Sequence, residues 1–260
     1  MGLTAQSSGI SLLRESFNIQ SKTNPVIALA GNPNTGKSTV FNGLTGLKQH
    51  TGNWPGKTVA QAQGYYNYLA QEYTVIDLPG TYSLLANSKE EQIARNFICF
   101  AQPDATVVIT DATNLERNLN LVLQVTELTD RVILCLNLMD EAKRQNIKID
   151  KTGLANDLGV PVVPTVARDG RGLRDLKETI RSVINHEIKL NPVTVKYGAQ
   201  IESLVEDIVL RLKEEYPNLG SEINLRWLAL RLLEGDKTIM KRVDKIYTEL
   251  SLQREVRQDE

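Results

Sequence analysis

The chain has 260 residues, 41% of them apolar, which is enough for one large domain or a medium and a small one. Its 30 basic and 31 acidic residues leave a net charge of −1, which argues against nucleic acid as a main partner. Its two cysteines, Cys99 and Cys135, give no disulfide framework and suit a reducing cytosol, and no apolar run approaches the ~18 residues needed to span a bilayer.

Residues 1–24 carry a short periodic patch over 12–17 and no basic region followed by a continuous apolar core. They are expected to form an N-terminal extension, as a short helix or an arm, and not a signal peptide. From 25 to 187, apolar runs alternate with helical patterns. Strands are predicted at 25–30, 73–77, 104–111, 131–137 and 160–164, most of them continuous apolar runs of the kind covered on both faces. Residues 61–69, with Tyr65, Tyr66 and Tyr68, alternate and suit an antiparallel edge strand. Helices are predicted at 37–46, 89–101, 114–128, 150–158 and 172–187. This rhythm predicts an α/β fold wound around a mostly parallel sheet, with ligands at the carboxyl ends of the strands. Cys135, inside the apolar run 132–136, reads as a small core residue. After about residue 190 the rhythm changes. Ile201, Leu204, Val205, Ile208, Val209 and Leu212 fall on one helical face, and 222–235 and 237–254 give two more helical patterns. A small all-helical domain is expected over 188–260, after the α/β domain of 25–187.

Between the first strand and first helix stands Gly31-Asn32-Pro33-Asn34-Thr35-Gly36-Lys37-Ser38, a G-x-x-x-x-G-K-S phosphate loop, followed by Thr39. Its N–H groups and the helix N-terminus are expected to surround a polyphosphate. Lys37 would reach the β- and γ-phosphates and the Ser38 hydroxyl would bind Mg²⁺. Gly31 and Gly36 are expected to give backbone freedom and close approach to the ligand. Asp77-Leu-Pro-Gly80 follows the strand 73–77; Asp77 would hold Mg²⁺ through water, and the Gly80 N–H would meet the γ-phosphate. The polar loop 47–60 between these motifs holds Thr51 and Thr58, and Thr58 is the choice for completing the Mg²⁺ shell. Asn137-Leu-Met139-Asp140 follows the strand 131–137. The two oxygens of Asp140 match the adjacent N1–H and N2 donors of guanine and reject adenine. Next to it, Val166 and Ala167 follow 160–164, where the Ala167 N–H is expected to meet the guanine oxygen.

Together, the residues 31–38, Gly52-Asn-Trp54-Pro-Gly56-Lys-Thr58-Val, Asp77-Leu-Pro-Gly80-Thr-Tyr-Ser-Leu and Asn137-Leu-Met-Asp140 resemble the N-terminal cytosolic GTPase region of the FeoB family of bacterial ferrous iron transport proteins. The Gly-Asn-Trp-Pro-Gly stretch is the most diagnostic part. The resemblance implies a Ras-like P-loop GTPase domain followed by a helical domain associated with inhibition of guanine-nucleotide dissociation. It implies slow, K⁺-stimulated hydrolysis of GTP to GDP, with Lys37, Asn34, Gly56 and Thr58 at the chemistry. Asn34 with the carbonyls of Gly52 and Trp54 would hold K⁺, a cation offsetting charge in the transition state. It also implies a membrane portion of the same parent protein as partner, a place on the cytoplasmic side of a bacterial inner membrane, and compatibility with a homo-oligomer.

Thr81 stands where Ras-like enzymes carry a water-orienting glutamine, which predicts slow intrinsic turnover. Leu138 replaces the lysine common in other GTPases, as in FeoB, and predicts weaker binding. Val166 stands where many relatives have serine, which predicts a less firmly fixed base-contacting loop. Trp54 has two readings, a buried ring or a mobile reporter of nucleotide state. With two histidines, His50 and His186, and no ligand cluster, no iron site is expected here. Two alternatives remain: a soluble K⁺-dependent GTPase of ribosome assembly or tRNA modification, and a GTP-binding module with negligible turnover.

Overall fold

The computed structural model of the protein describes residues 13–19, 24–46, 49–85, 87–217, 219–221, 223–236, 239–244 and 247–248. Seven strands form one sheet, in the order β2-β3-β4-β1-β5-β6-β7. The central strand β1 (Val26–Gly31) is wholly buried, as its continuous apolar run requires when both faces are covered. Going along the chain, β2 (Gln49–Asn53) is antiparallel to β3 (Ala60–Tyr68), and β3 is antiparallel to β4 (Gln71–Asp77). β4 and β5 (Ala105–Asp111) flank β1 in parallel, with Leu29 opposite Asp77 on one side and Val107 on the other. β6 (Val132–Asn137) and β7 (Val162–Pro164) continue the parallel set.

The predicted edge strand 61–69 is antiparallel but interior. The edge is β2, inside the segment expected to be a loop. None of its residues, Gln49, His50, Thr51, Gly52 and Asn53, carries an apolar side chain, which an edge strand tolerates because one side of its backbone meets water.

Helices fill the connections: α1 (Lys37–Thr45), α2 (Lys89–Asn96), α3 (Leu115–Leu128), α4 (Met139–Arg144), α5 (Lys151–Leu158) and α6 (Leu173–Ile184). Five occupy predicted positions. α4 is additional, because six residues are too few for periodicity to show. The helix predicted over 89–101 is α-helical only to Asn96. It continues as a π-helical turn, Phe97–Ala101, in which all five side chains are buried. Capping fixes its start: Ser88 Oγ accepts the Glu91 N–H (3.1 Å), while the Glu91 carboxylate accepts the Asn87 N–H (2.8 Å). One core cluster joins Ile27, Leu29 and Val107 of the sheet to Phe41 of α1 and Leu176 and Ile180 of α6. Cys135 lies in the same cluster, and burial pushes its thiol up to about 12. Cys99 is buried too.

Contacts divide the chain into two units. One spans 15–194; the other takes the described residues from 195 onward, with Leu13 and Arg14. Residues 188–194, expected in the helical part, belong to the first. The N–H groups of Asn191 and Val193 donate to the Gly159 and Leu158 carbonyls (3.1 and 2.9 Å). The second unit holds α7 (Ala199–Glu215), a 3₁₀ turn (Leu219–Ser221) and α8 (Leu225–Leu233), capped by the Asn224 side chain. Val205 packs with Ala229 and Leu230. The predicted apolar face of α7 is narrower than its periodicity: Val205 and Leu212 are buried, but Ile201 and Leu204 are 43% and 51% exposed. Of the helix predicted over 237–254, residues 239–244 and 247–248 are helical and the rest lies outside the described residues. Among the described residues no helix is long and apolar enough to cross a membrane.

Candidate functional site

The loop 31–38 leaves the carboxyl end of β1 and enters α1 at Lys37. Gly36 precedes the helix at φ +81°, a left-handed conformation that favours glycine. Gly31 has a different reason. A Cβ there would lie 2.6 Å from the Ile109 carbonyl oxygen, so the packing of β5 alone already requires a glycine at this position. Asn34 sits at φ +68°, which asparagine tolerates in turns, and its side chain is exposed. Thr35 is buried and donates to the Asn32 carbonyl (3.0 Å). Asn32, Pro33, Asn34, Gly36, Lys37, Ser38, Thr39 and Gly80 line one cleft of 290 Å³.

Lys37, which lines this cleft, forms an ion pair with Asp77, their side chains 11% and 17% exposed. Burial pushes the Asp77 carboxyl up, and the adjacent ammonium opposes that rise. Each was expected on a ligand; here they neutralise each other. The Thr81 N–H donates to the Gly31 carbonyl (3.2 Å), which joins the D-x-x-G loop to the phosphate loop. The Thr81 side chain is buried and its hydroxyl donates to the Ser83 carbonyl (2.7 Å).

Asn137, fully buried at the end of β6, is the hub of the site. Its Nδ2 donates to the Thr35 carbonyl (3.0 Å). Its Oδ1 accepts from the Thr165 hydroxyl (3.0 Å) and from the Ala167 N–H (3.1 Å). The asparagine therefore ties the phosphate loop to the loop after β7. It also engages the Ala167 N–H that was expected to meet guanine. In the loop with Val166, the Val166 N–H donates to the Arg171 carbonyl (3.0 Å) and Val166 is buried.

Leu138 turns the chain from β6 into α4 at φ +61°, an unusual conformation for a bulky residue. It puts Asp140 in the first turn of α4, with its side chain 14% exposed. Asp140 Oδ2 accepts from Arg144 Nη2 (3.2 Å) and Arg168 Nη2 (2.5 Å). Oδ1 is buried with no partner among the described residues. A second cleft, of 1020 Å³, opens beside Met139, Asp140, Val166 and Arg168. Sequence reasoning missed both arginines. Arg144 is four residues from Asp140 on one helix, so its spacing was readable; Arg168 comes from another loop and had no such signal.

The loop after β2 is placed differently. Gly52 lies in the β2–β3 ladder opposite Gln61. Trp54 is 2% exposed, which favours the buried-ring reading. Its N–H donates to the Val59 carbonyl and its carbonyl accepts from the Lys57 N–H (both 2.9 Å), around Gly56 at φ +67°. Thr51 and Thr58 are exposed. None of Gly52, Trp54, Gly56 and Thr58 lines the 290 Å³ cleft. The Ser38 hydroxyl and Asp77 carboxylate are hard oxygen donors that suit Mg²⁺. For K⁺, the Asn34 amide lines the cleft, whereas the Gly52 and Trp54 carbonyls do not in this conformation.

The family described as Ferrous iron transport protein B matches residues 25–180, and the FeoB cytosolic helical domain matches 197–259. The chain is 40% identical over 215 residues to the Fe(2+) transporter FeoB of Escherichia coli K12, covering 81% of this chain and 27% of that protein. It is 38% identical over 213 residues to a Fe(2+) transport protein A/FeoB fusion protein of Porphyromonas gingivalis, covering 81% and 25%. The chain thus spans about a quarter of the length of these curated relatives. Among solved structures, the cytosolic domain of the T. maritima FeoB iron transporter in a GDP form matches at TM-score 0.78 and 36% identity, over 88% of this chain and 94% of that one. Its GMPPNP form matches at 0.77, with the same identity and coverage. The fold is that of a Ras-like P-loop G domain followed by a helical domain.

Proposed function

Since the chain belongs to the FeoB family of ferrous iron transport proteins, we propose that it is the GTP-binding and slowly GTP-hydrolysing regulatory part of an iron transporter. The observation that carries this reading is Asn137, which joins the phosphate loop to the walls of the cleft beside Asp140. In this reading the N–H groups of residues 31–38 and the start of α1 hold the phosphates. Lys37 leaves Asp77 for the β- and γ-phosphates, which frees the carboxylate. Ser38, Thr58 and, through water, Asp77 would hold Mg²⁺, and Asn34, Gly52 and Trp54 would hold K⁺. Bound there, the cations neutralise charge on the phosphate oxygens. The loop 47–60 must move to bring Thr58 and the carbonyls of Gly52 and Trp54 to the cleft. Guanine enters beside Met139 and Val166 and takes the oxygens of Asp140, displacing an arginine from Oδ2. Water attacks the γ-phosphorus, the bond to the β-phosphate oxygen breaks, and GDP and phosphate leave. The Thr81 hydroxyl is committed to Ser83, so the water depends on backbone groups, among them the Gly80 N–H, and turnover is slow. Residues 47–60 and 78–88 relay the nucleotide state toward the helical part. The transport path belongs to a membrane portion of the parent protein, with this part on the cytoplasmic side of a bacterial inner membrane.

The test is phosphate release from GTP with Mg²⁺, in KCl and in NaCl. K⁺ is expected to speed turnover by roughly tenfold or more, the scale of a well-placed charge at the transition state, and Asn34→Ala to remove most of that gain. Equal rates in both salts for both proteins would overturn the K⁺ reading. Binding of ATP as tight as that of GTP would overturn the guanine reading.

A further inference from the structure

The family match begins at residue 25, yet described residues before it pack into the α/β unit. Phe17 and Ile19 are 6% and 3% exposed. The Phe17 ring stands edge-on to Trp54 (centroids 6.4 Å, 83°) and to Phe97 (5.4 Å, 74°). Trp54 and Phe97 meet edge-on as well (5.5 Å, 75°), so the three rings close a triangle. The backbone is fastened too: the buried Gln61 side chain, opposite Gly52 in the β2–β3 ladder, donates to the Phe17 carbonyl (3.1 Å). One corner of the triangle, Phe97, opens the wholly buried π-helical turn after α2 and belongs to a different element from the loop. Trp54 opens the segment between β2 and β3, and its flanking residues Asn53 and Pro55 are exposed. Its indole N–H is buried with no acceptor among the described residues, an arrangement that favours release to water. Burial of the ring against Phe17 and Phe97 opposes that release.

We propose that Phe17 is a positioning residue for the 53–59 loop. It holds Trp54 in its buried place, and so lets the N-terminal extension restrain the loop movement that the GTP reaction requires. The inference rests on the proposed role of that loop. Losing one edge-on aromatic contact should shift the loop equilibrium roughly 2- to 12-fold.

The experiment follows Trp54 fluorescence, assigned by difference from Trp54→Phe, when a non-hydrolysable GTP analogue and Mg²⁺ are added. Phosphate release in a single turnover and equilibrium GDP affinity are measured beside it, in the natural chain and in Phe17→Ala, Phe17→Leu and Phe17→Tyr. Phe17→Ala is expected to speed the Trp54 response and phosphate release by that factor, with GDP affinity within about twofold. Phe17→Tyr is expected to restore natural behaviour. If Phe17→Ala does not fold, Phe17→Leu, which keeps apolar bulk without the ring edge, decides instead. A response equal to that of the natural chain in a folded Ala or Leu variant overturns the proposal. So does a loss of GDP affinity matching the change in rate, because that marks general damage. If the natural chain binds no guanine nucleotide, the nucleotide reading itself fails, and this inference with it.

Discussion

Asp140 is a carboxylate prepared for a partner. One oxygen is buried with no partner among the described residues, and the other carries two guanidinium groups whose own side chains are 58% and 59% exposed. Exposed arginines give up such contacts at small cost, so a buried, rigid donor pair on a base can replace them. Asp140→Asn removes one acceptor and adds a donor. GDP affinity is expected to fall roughly 100-fold or more, while a xanthine nucleotide, with an oxygen where guanine has its amino group, gains what guanine loses. Competition of the two diphosphates against a fluorescent nucleotide measures both. At this scale the sequence was most readable where a residue type answers a backbone demand. Gly36 at φ +81° is such a case. It was least readable where a side chain serves distant partners. The hydrogen bonds of Asn137 reach residues 102, 28 and 30 positions away, and no local spacing reveals them.

Among the elements, β1, β5 and β6 declared themselves by apolar runs, because strands sealed on both faces need little else. β2 did not. None of its residues carries an apolar side chain, and only pairing with β3 makes them a strand. The π-helical turn was also hidden, since Phe97–Ala101 is apolar on every side and gives no period to follow. The site lies where β1, β6 and β7 end, and Asn137 is the stitch between those ends. Asn137→Ala leaves the Thr35 carbonyl, the Thr165 hydroxyl and the Ala167 N–H without that partner in a buried place. A loss of about 2–4 kcal/mol is expected, read as a lower urea midpoint with an unchanged slope, and saturating GDP should recover part of it.

For the whole molecule, the change of rhythm near residue 190 foretold a second part, but the boundary by contacts falls at 194, since residues 188–194 bond back to Leu158 and Gly159. The helical unit has its own acid sensitivity. Arg226 holds both oxygens of Glu202 (2.6 and 2.9 Å), the Tyr197 N–H adds a third donor, and together they lower the Glu202 carboxyl from 4.5 to about 2. A carboxyl depressed on folding stabilises the fold above its ordinary value and loses that contribution as pH falls. The unit is therefore expected to weaken from about pH 4.5 toward 2. Fluorescence of Trp227, on the same helix as Arg226, should report this, and Glu202→Gln should flatten the acid limb of the curve. The two buried cysteines have a practical consequence at this scale. With Cys135 pushed up to about 12 and Cys99 also buried, maleimide dyes at neutral pH meet little competition from native thiols. A cysteine placed on an exposed position of either unit can thus carry a single distance probe without first rebuilding the core.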